Sequence, residues 1–205
     1  DALPIFNASY RMLSQIQAKN IMTAFKFSSW CLGPKGLIQG QVLDLAEEMT
    51  INFENLILTH QNKTARLMQT ALVGSFLILD DVQDKGSNRY RTSKDLFRLG
   101  HNIGVLFQIL DDLTELIDEE ISAHELAVNP WLRFKEDCFK ELTSGLSKVY
   151  ETLEEYEMKH LNEMLGLYFK KIDSILRPNL KTVESHVKMD LVPVMSLLER
   201  IHVRD

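Results

Sequence analysis

The sequence predicts an all-α fold. Three observations carry that expectation. Turn-formers are scarce, with 9 Gly and 5 Pro in 205 residues. Leu, Met, Glu and Lys, all good helix formers, are abundant. Apolar residues recur at spacings of three and four wherever the chain is periodic. Few turn residues argue against a β-sandwich or barrel, and the length fits a single helical domain over residues 1–205. With 45% hydrophobic and 25% charged residues, the chain has the composition of a packed core and not of a disordered segment.

The elements follow in order. Residues 3–17 place Leu3, Phe6, Tyr10, Leu13 and Ile16 on one helical face. A second helix over 19–31 stops at Gly33-Pro34-Lys35-Gly36, a strong breaker. A short helix over 37–49 carries Leu37, Ile38, Val42, Leu43 and Leu45. Residues 53–79 read as one long helical stretch, kinked in the polar run His60-Gln61-Asn62-Lys63. The next break is Asp84-Lys85-Gly86-Ser87-Asn88, after which a helix over about 94–118 starts behind Thr92-Ser93. Asp95 there suits the positive end of the helix dipole. Asn129-Pro130 precedes an amphipathic segment at 131–160, and the last helices cover 161–175 and 180–203 around Arg177-Pro178-Asn179.

Charge and cysteine usage exclude several classes. Lys plus Arg is 23 and Asp plus Glu is 29, a net charge of −6, whereas a nucleic-acid-binding domain normally shows a basic excess. Cys31 and Cys138 lie far apart without metal-ligand spacing, which reads as two reduced core thiols and a cytoplasmic protein. No apolar run reaches the roughly 18 residues of a transmembrane helix. The six histidines show no HExxH pattern, and there is no P-loop, GxGxxG or GxSxG. The chain opens at Asp1-Ala2-Leu3-Pro4, as if in the middle of a longer pattern.

One constellation stands out. The run Ile103 to Leu110 is apolar on every side except at Gln108, the mark of a central helix. Gln108, Asp111, Asp112 and Glu115 follow at offsets of three, four and seven and share a face. Asp111 and Glu115 are like charges one turn apart, which repel by about 0.2–0.5 kcal/mol even when exposed. Either the helix emerges into water there, or a cation sits among the carboxylates. A hard divalent ion such as Mg²⁺ is held by one or two carboxylates with phosphate oxygens completing its shell.

Lys63 and Thr64 sharpen the choice. Lys63 to Asp80 is about 25 Å of helix, and Ser93 to Asp111 is about 27 Å back. An antiparallel hairpin of these two helices returns Lys63 and Thr64 to the end that bears Asp111 and Asp112. A cation, a hydroxyl and a carboxylate pair at the mouth of an apolar shaft suit a diphosphate with a greasy tail.

These residues resemble a known family. Gly40-Gln41-Val42-Leu43-Asp44-Leu45, Lys63-Thr64-Ala65-Arg66-Leu67 and Gly104-Val105-Leu106-Phe107-Gln108-Ile109-Leu110-Asp111-Asp112 are similar, in order, to the GQxxDL, KTxxL and GxxFQxxDD motifs of trans-isoprenyl diphosphate (polyprenyl) synthases. The resemblance covers roughly residues 1–118 and implies an isoprenoid-synthase-type helical bundle around a central apolar cavity, without the N-terminal helices. It implies a prenyltransferase that condenses an allylic diphosphate with isopentenyl diphosphate through Mg²⁺-assisted loss of diphosphate. Asp111, Asp112 and Glu115 would then be metal ligands of the second aspartate-rich motif. Lys63, Thr64 and Gln108 would contact the allylic diphosphate, and Gln41 and Asp44 would line the cavity. Catalysis would rest on Lys63, Asp111 and Asp112.

The departures are as informative. The family's first DDxxD motif should lie before residue 1, and the lysines expected after the second motif are missing from the acidic run Asp118 to Asn129. Asp80-Asp81-Val82-Gln83-Asp84 has the spelling of the first motif but stands after KTxxL, at the far end of the hairpin. It reads as an acidic turn with Arg partners, or as a relocated metal site. Two functional readings therefore stand: an active homodimeric synthase, or a non-catalytic subunit of the same fold that pairs with a related synthase.

Overall fold

A computed structural model describes residues 2–79 and 87–200, with side-chain environments for 8–79 and 88–199. Every regular element among them is helical. The helices are α1 (Ala2–Ser14), α2 (Ile21–Leu32), α3 (Leu37–Leu45), α4 (Phe53–His60), α5 (Arg66–Leu79), α6 (Ser87–Thr114), α7 (Ala123–Val128), α8 (Pro130–Arg133), α9 (Lys135–Glu155), α10 (Lys159–Leu176), α11 (Leu180–Val187) and α12 (Val192–Arg200). None is long and apolar enough to cross a membrane. Cys31 and Cys138 are both buried and free.

The kink expected near His60 is a change of helix type. Gln61–Ala65 forms a π turn between α4 and α5. Such a turn holds one residue more than an α turn and re-aims the side chains it carries. Asn52 starts this stretch by accepting a hydrogen bond from the Asn55 amide at 2.8 Å, an ordinary N-cap.

The central helix starts earlier than the sequence suggests. It runs 28 residues from Ser87, so Thr92 and Ser93 lie inside it. Thr92 Oγ1 donates back to the Asn88 carbonyl at 3.1 Å. Asp95 does not serve the helix dipole; it accepts from Tyr156 Oη at 2.9 Å and lies between Arg91 and Arg98. Lateral partners on α6 and just past the end of α9 replace the cap that Thr92-Ser93 seemed to supply. The last helical stretch is likewise divided. Lys188 adopts a left-handed conformation with φ 52°, the usual stop for a helix, and separates α11 from α12.

The core is built on α6. Leu99, Ile109, Leu110 and Leu113 are fully buried, each contributing about 1.5–3 kcal/mol by leaving water. Helix α5 packs along one side of α6 and α9 along another, while α2 lies against α5. The antiparallel hairpin of α5 and α6 is therefore present, and Gly104 makes it close. A Cβ on Gly104 would fall 2.3 Å from the Ala65 Cα. Trp131 of α8 is fully buried and donates its indole N–H to the Ile109 carbonyl at 2.7 Å, which ties α8 to the end of α6. The Asp80-Asp81-Val82-Gln83-Asp84 motif lies outside the described residues.

Candidate functional site

Three short-range devices bring the site together at the C-terminal end of α6. The first is the π turn, which presents Lys63 beside α3. The second is Gly40, whose missing side chain lets α3 touch that turn: a Cβ there would lie 2.2 Å from the Lys63 amide nitrogen. This contact brings Asp44, one turn further along α3, to Lys63, with Nζ and Oδ2 2.8 Å apart. The third is Asn129. Its Nδ2 donates to the Asp112 carbonyl at 2.8 Å and to Glu125 Oε2 at 3.2 Å. Its Oδ1 accepts from the Trp131 amide at 3.1 Å. One buried amide therefore joins the end of α6 to α7 and α8.

A cavity of about 340 Å³ opens between these elements, and Asp44, Lys63, Gln108, Asp112 and Glu115 all line it. Five of the residues expected from the sequence thus converge. Asp111, Thr64 and Gln41 are not among the lining residues, and Asp111 and Gln41 are exposed. Among the described residues, Asp111, Asp112 and Glu115 do not close round a single point as a three-ligand cluster.

His60 and Glu125 are among the lining residues that were not anticipated. His60, 2% exposed, ends α4. Burial, and then the nearby Lys63 charge, drive its pKa down to about 3. It is neutral at physiological pH, so its 3.7 Å approach to Asp112 Oδ2 is neither an ion pair nor a full hydrogen bond. His60 Nδ1 and Asp112 Oδ2 are shut off from solvent without a hydrogen-bond partner. Burial, followed by repulsion from Glu115 and Asp111, holds the Asp112 carboxyl well above the usual range.

The other is Glu125 of α7. Ser122 caps that helix by accepting from the Glu125 amide at 3.1 Å. Glu125 lines the same cavity as Glu115. Partial burial, and then the neighbouring Glu125 carboxyl, raise the Glu115 pKa to about 7. The pattern Ser-x-x-Glu at 122–125 was a readable helix start. That its glutamate lines the cavity was not, because its placement depends on the turn after Thr114 and on Asn129.

The set is chemically one-sided. Asp44, Glu47, Asp112, Glu115 and Glu125 face one formal cation, Lys63, along the lining. Unpartnered carboxylate oxygen is the donor type that hard divalent ions prefer. The residues present therefore fit Mg²⁺, with Asp112 and Glu115 on the lining and Asp111 just outside it.

The model of the family described as polyprenyl synthetase matches residues 1–125. Among curated proteins, the chain is 30% identical over 149 residues to "Geranylgeranyl pyrophosphate synthase 12, chloroplastic" of Arabidopsis thaliana, covering 69% of this chain and 38% of that protein. It is 28% identical over 117 residues to "Heterodimeric geranylgeranyl pyrophosphate synthase large subunit 2" of the same plant, covering 55% and 28%. It is 28% identical over 106 residues to "Farnesyl diphosphate synthase" of Micrococcus luteus, covering 50% and 33%. The chain spans less than two fifths of the length of these relatives.

Proposed function

Because the chain belongs to the polyprenyl synthetase family, we propose that its cavity is the allylic-diphosphate site of a prenyltransferase that uses isopentenyl diphosphate as the second substrate. One observation carries the reading: Lys63, Gln108, Asp112 and Glu115, from separate motifs, line one cavity. The Lys63 ammonium has three donors. Asp44 takes one and orients the amine, which leaves two for phosphate oxygens. Gln108 offers an uncharged amide donor from the same wall. His60, being neutral, adds no charge but lends a ring nitrogen to the Asp112 side of the site. When bound at Asp112 and Glu115, with Asp111 beside them, Mg²⁺ would supply charge neutralisation of the departing diphosphate. Preorganised positive charge at that leaving group is the main source of rate acceleration in such a site.

A second reading is favoured by the lining itself. Five carboxylates against one lysine, with no lysine or arginine in residues 118–129, make a poor diphosphate cradle in the absence of a cation. A relative is named as the large subunit of a heterodimeric synthase. On this reading the chain would serve as a non-catalytic subunit held to a related active synthase, in an assembly of the heterodimeric kind that name describes.

Calorimetry with geranyl diphosphate and Mg²⁺, followed by incorporation of labelled isopentenyl diphosphate, tests both readings. Binding that Lys63→Ala weakens, with turnover, supports the transferase. Binding without turnover, restored by a partner synthase, supports the subunit. Absence of any geranyl diphosphate binding sinks both.

A further inference from the structure

Arg66 carries a buried charge, yet it is not among the residues that line the cavity. It occupies a position that the KTxxL spelling leaves open, directly follows the π turn, and is only 7% exposed. Its partners are neutral. Nε donates to Asn62 Oδ1 at 3.3 Å and Nη1 to Gln69 Oε1 at 3.0 Å. The guanidinium carbon stands 4.4 Å from the centre of the Trp30 ring and 5.7 Å from that of Phe97. Among the described residues no carboxylate pairs with it. A buried cation without a counter-ion is costly, and amide oxygens and ring faces offset that cost only when held in place.

This arrangement spans the π turn. Asn62 lies within Gln61–Ala65 and Arg66 is the first residue of α5, so the bond between them closes over Lys63 and Thr64. Gln69 anchors the other end. It is fully buried, and its Nε2 donates to the Phe97 carbonyl of α6 at 3.2 Å. Asn62 is itself 2% exposed, and its carbonyl carbon is one of the atoms that Gly40 lets α3 approach. The turn is thus held by α3 on one side and, through Arg66, by α2 and α6 on the other. A π turn is a rare insertion of one residue into an α-helix. Relaxation to a regular helix would swing Lys63 by about 100° around the axis, the angle of one residue.

We propose that Arg66 is a positioning residue for Lys63: its guanidinium, seated on Trp30 and Phe97, fixes the π turn and keeps the Lys63 ammonium turned to Asp44 and the cavity. This rests on the reading of Lys63 as a diphosphate contact. Arg66 acts through Lys63 and makes no contact with the diphosphate. Its planar fork serves geometry, because it bonds Asn62 and Gln69 while stacking on an indole.

A double-variant cycle on the full chain tests this. It is read by calorimetry with geranyl diphosphate and Mg²⁺, and by amide hydrogen exchange over residues 61–65. Arg66→Met fills similar space without the charge or the donors. It should weaken binding by about three- to tenfold, no more than Lys63→Ala does. In a Lys63→Ala background it should change affinity by less than about twofold, because the residue it positions is gone. Exchange at 61–65 should rise in Arg66→Met while α9 keeps its protection. Val73→Ala, at a residue of α5 that is 4% exposed, should destabilise the helix and leave binding unchanged. Should Arg66→Met unfold, Trp30→Leu carries the same cycle from a position 45% exposed, and Trp30→Phe should restore wild-type binding. Wild-type affinity in folded Arg66→Met overturns the proposal, as does an equal loss with and without Lys63, or an equal loss in Val73→Ala. If the wild type binds no geranyl diphosphate, the reading of the cavity fails by itself, and exchange alone decides on Arg66. Unchanged protection at 61–65 in Arg66→Met then overturns its hold on the turn, and lost protection there upholds it.

Discussion

Lys63 and Asp44 form the contact that sets the chemistry of the cavity, with Nζ 2.8 Å from Oδ2. They come from different motifs, and each is only partly buried, at 31% and 24% side-chain exposure. Such a pair contributes little to stability, at most about 1 kcal/mol after solvent screening. Its value is orientation. Asp44→Asn should therefore lower the urea midpoint only slightly. Lys63→Ala should weaken geranyl diphosphate binding by about tenfold, the loss of one charge-assisted hydrogen bond of about 1.5–3 kcal/mol. Equal effects of the two variants on stability and on binding would contradict this division of labour.

Gly40 makes that pair possible. Alanine at this position must displace the backbone at Asn62 and Lys63, since its Cβ would stand 2.2 Å from the Lys63 nitrogen and 2.5 Å from the Asn62 carbonyl carbon. Neither neighbour is the free end of a flexible side chain. Gly40→Ala should cost about 1–3 kcal/mol, the usual range for overpacking. It should weaken diphosphate binding as well, because α3 carries Asp44 away from Lys63. Gly104→Ala, buried against Ala65 along the α5–α6 seam, should destabilise at least as much. Chemical denaturation of the two variants beside calorimetric titration separates the effects.

Much of this was legible in the chain. The π turn fell where a polar run interrupted an apolar helix at residues 60–63. The α6 stripe showed Gln108, Asp112 and Glu115 on one face, because helical periodicity is a local property. What escaped was non-local. The true start of α6 was hidden because Thr92-Ser93 has the composition of a cap, while the partners of Asp95 lie just past α9 as well as on α6. The break at Lys188 depends on a left-handed residue that carries no glycine signature. Glu125 stood in the run Asp118 to Asn129, which was notable only for its missing lysines, and its carboxylate is held by the buried amide of Asn129. Asp111 and Thr64 sit beside the expected positions but off the cavity, a matter of tens of degrees around a helix that motif spelling does not encode.

Titration of the site should oppose itself. His60 has a pKa depressed from 6.5 to about 3. The stability it contributes is present above pH 6.5 and is lost as pH falls towards 3. Glu115 is raised from 4.5 to about 7, so its contribution is present below pH 4.5 and is lost as pH rises through 7. Replacing His60 by Gln removes the first slope. The stability of His60→Gln relative to wild type should therefore rise by about 2 kcal/mol between pH 6.5 and 4.5, at roughly 1.4 kcal/mol per unit. Urea midpoints across pH 4–8 measure it. A difference that stays flat over that interval would mean that His60 remains protonatable in the folded chain.

Asn129 is the residue whose loss should separate the site from the fold. Its amide makes three hydrogen bonds that no other side chain type reproduces: two donors, to the Asp112 carbonyl and Glu125, and one acceptor, for the Trp131 amide. Aspartate keeps the acceptor and discards both donors, setting a third carboxylate against Glu125 and a backbone carbonyl. Asn129→Asp should therefore destabilise more than Asn129→Ala, which itself should cost about 1–3 kcal/mol for the buried groups left unpaired. Both variants release Glu125 from its orientation. Where Trp131 still packs under Ile109, its fluorescence, read in a Trp30→Phe background, should keep the wild-type maximum while geranyl diphosphate binding weakens. A red-shifted Trp131 emission in Asn129→Ala would show instead that Asn129 secures α8 itself, and that the site fails because the fold around it does.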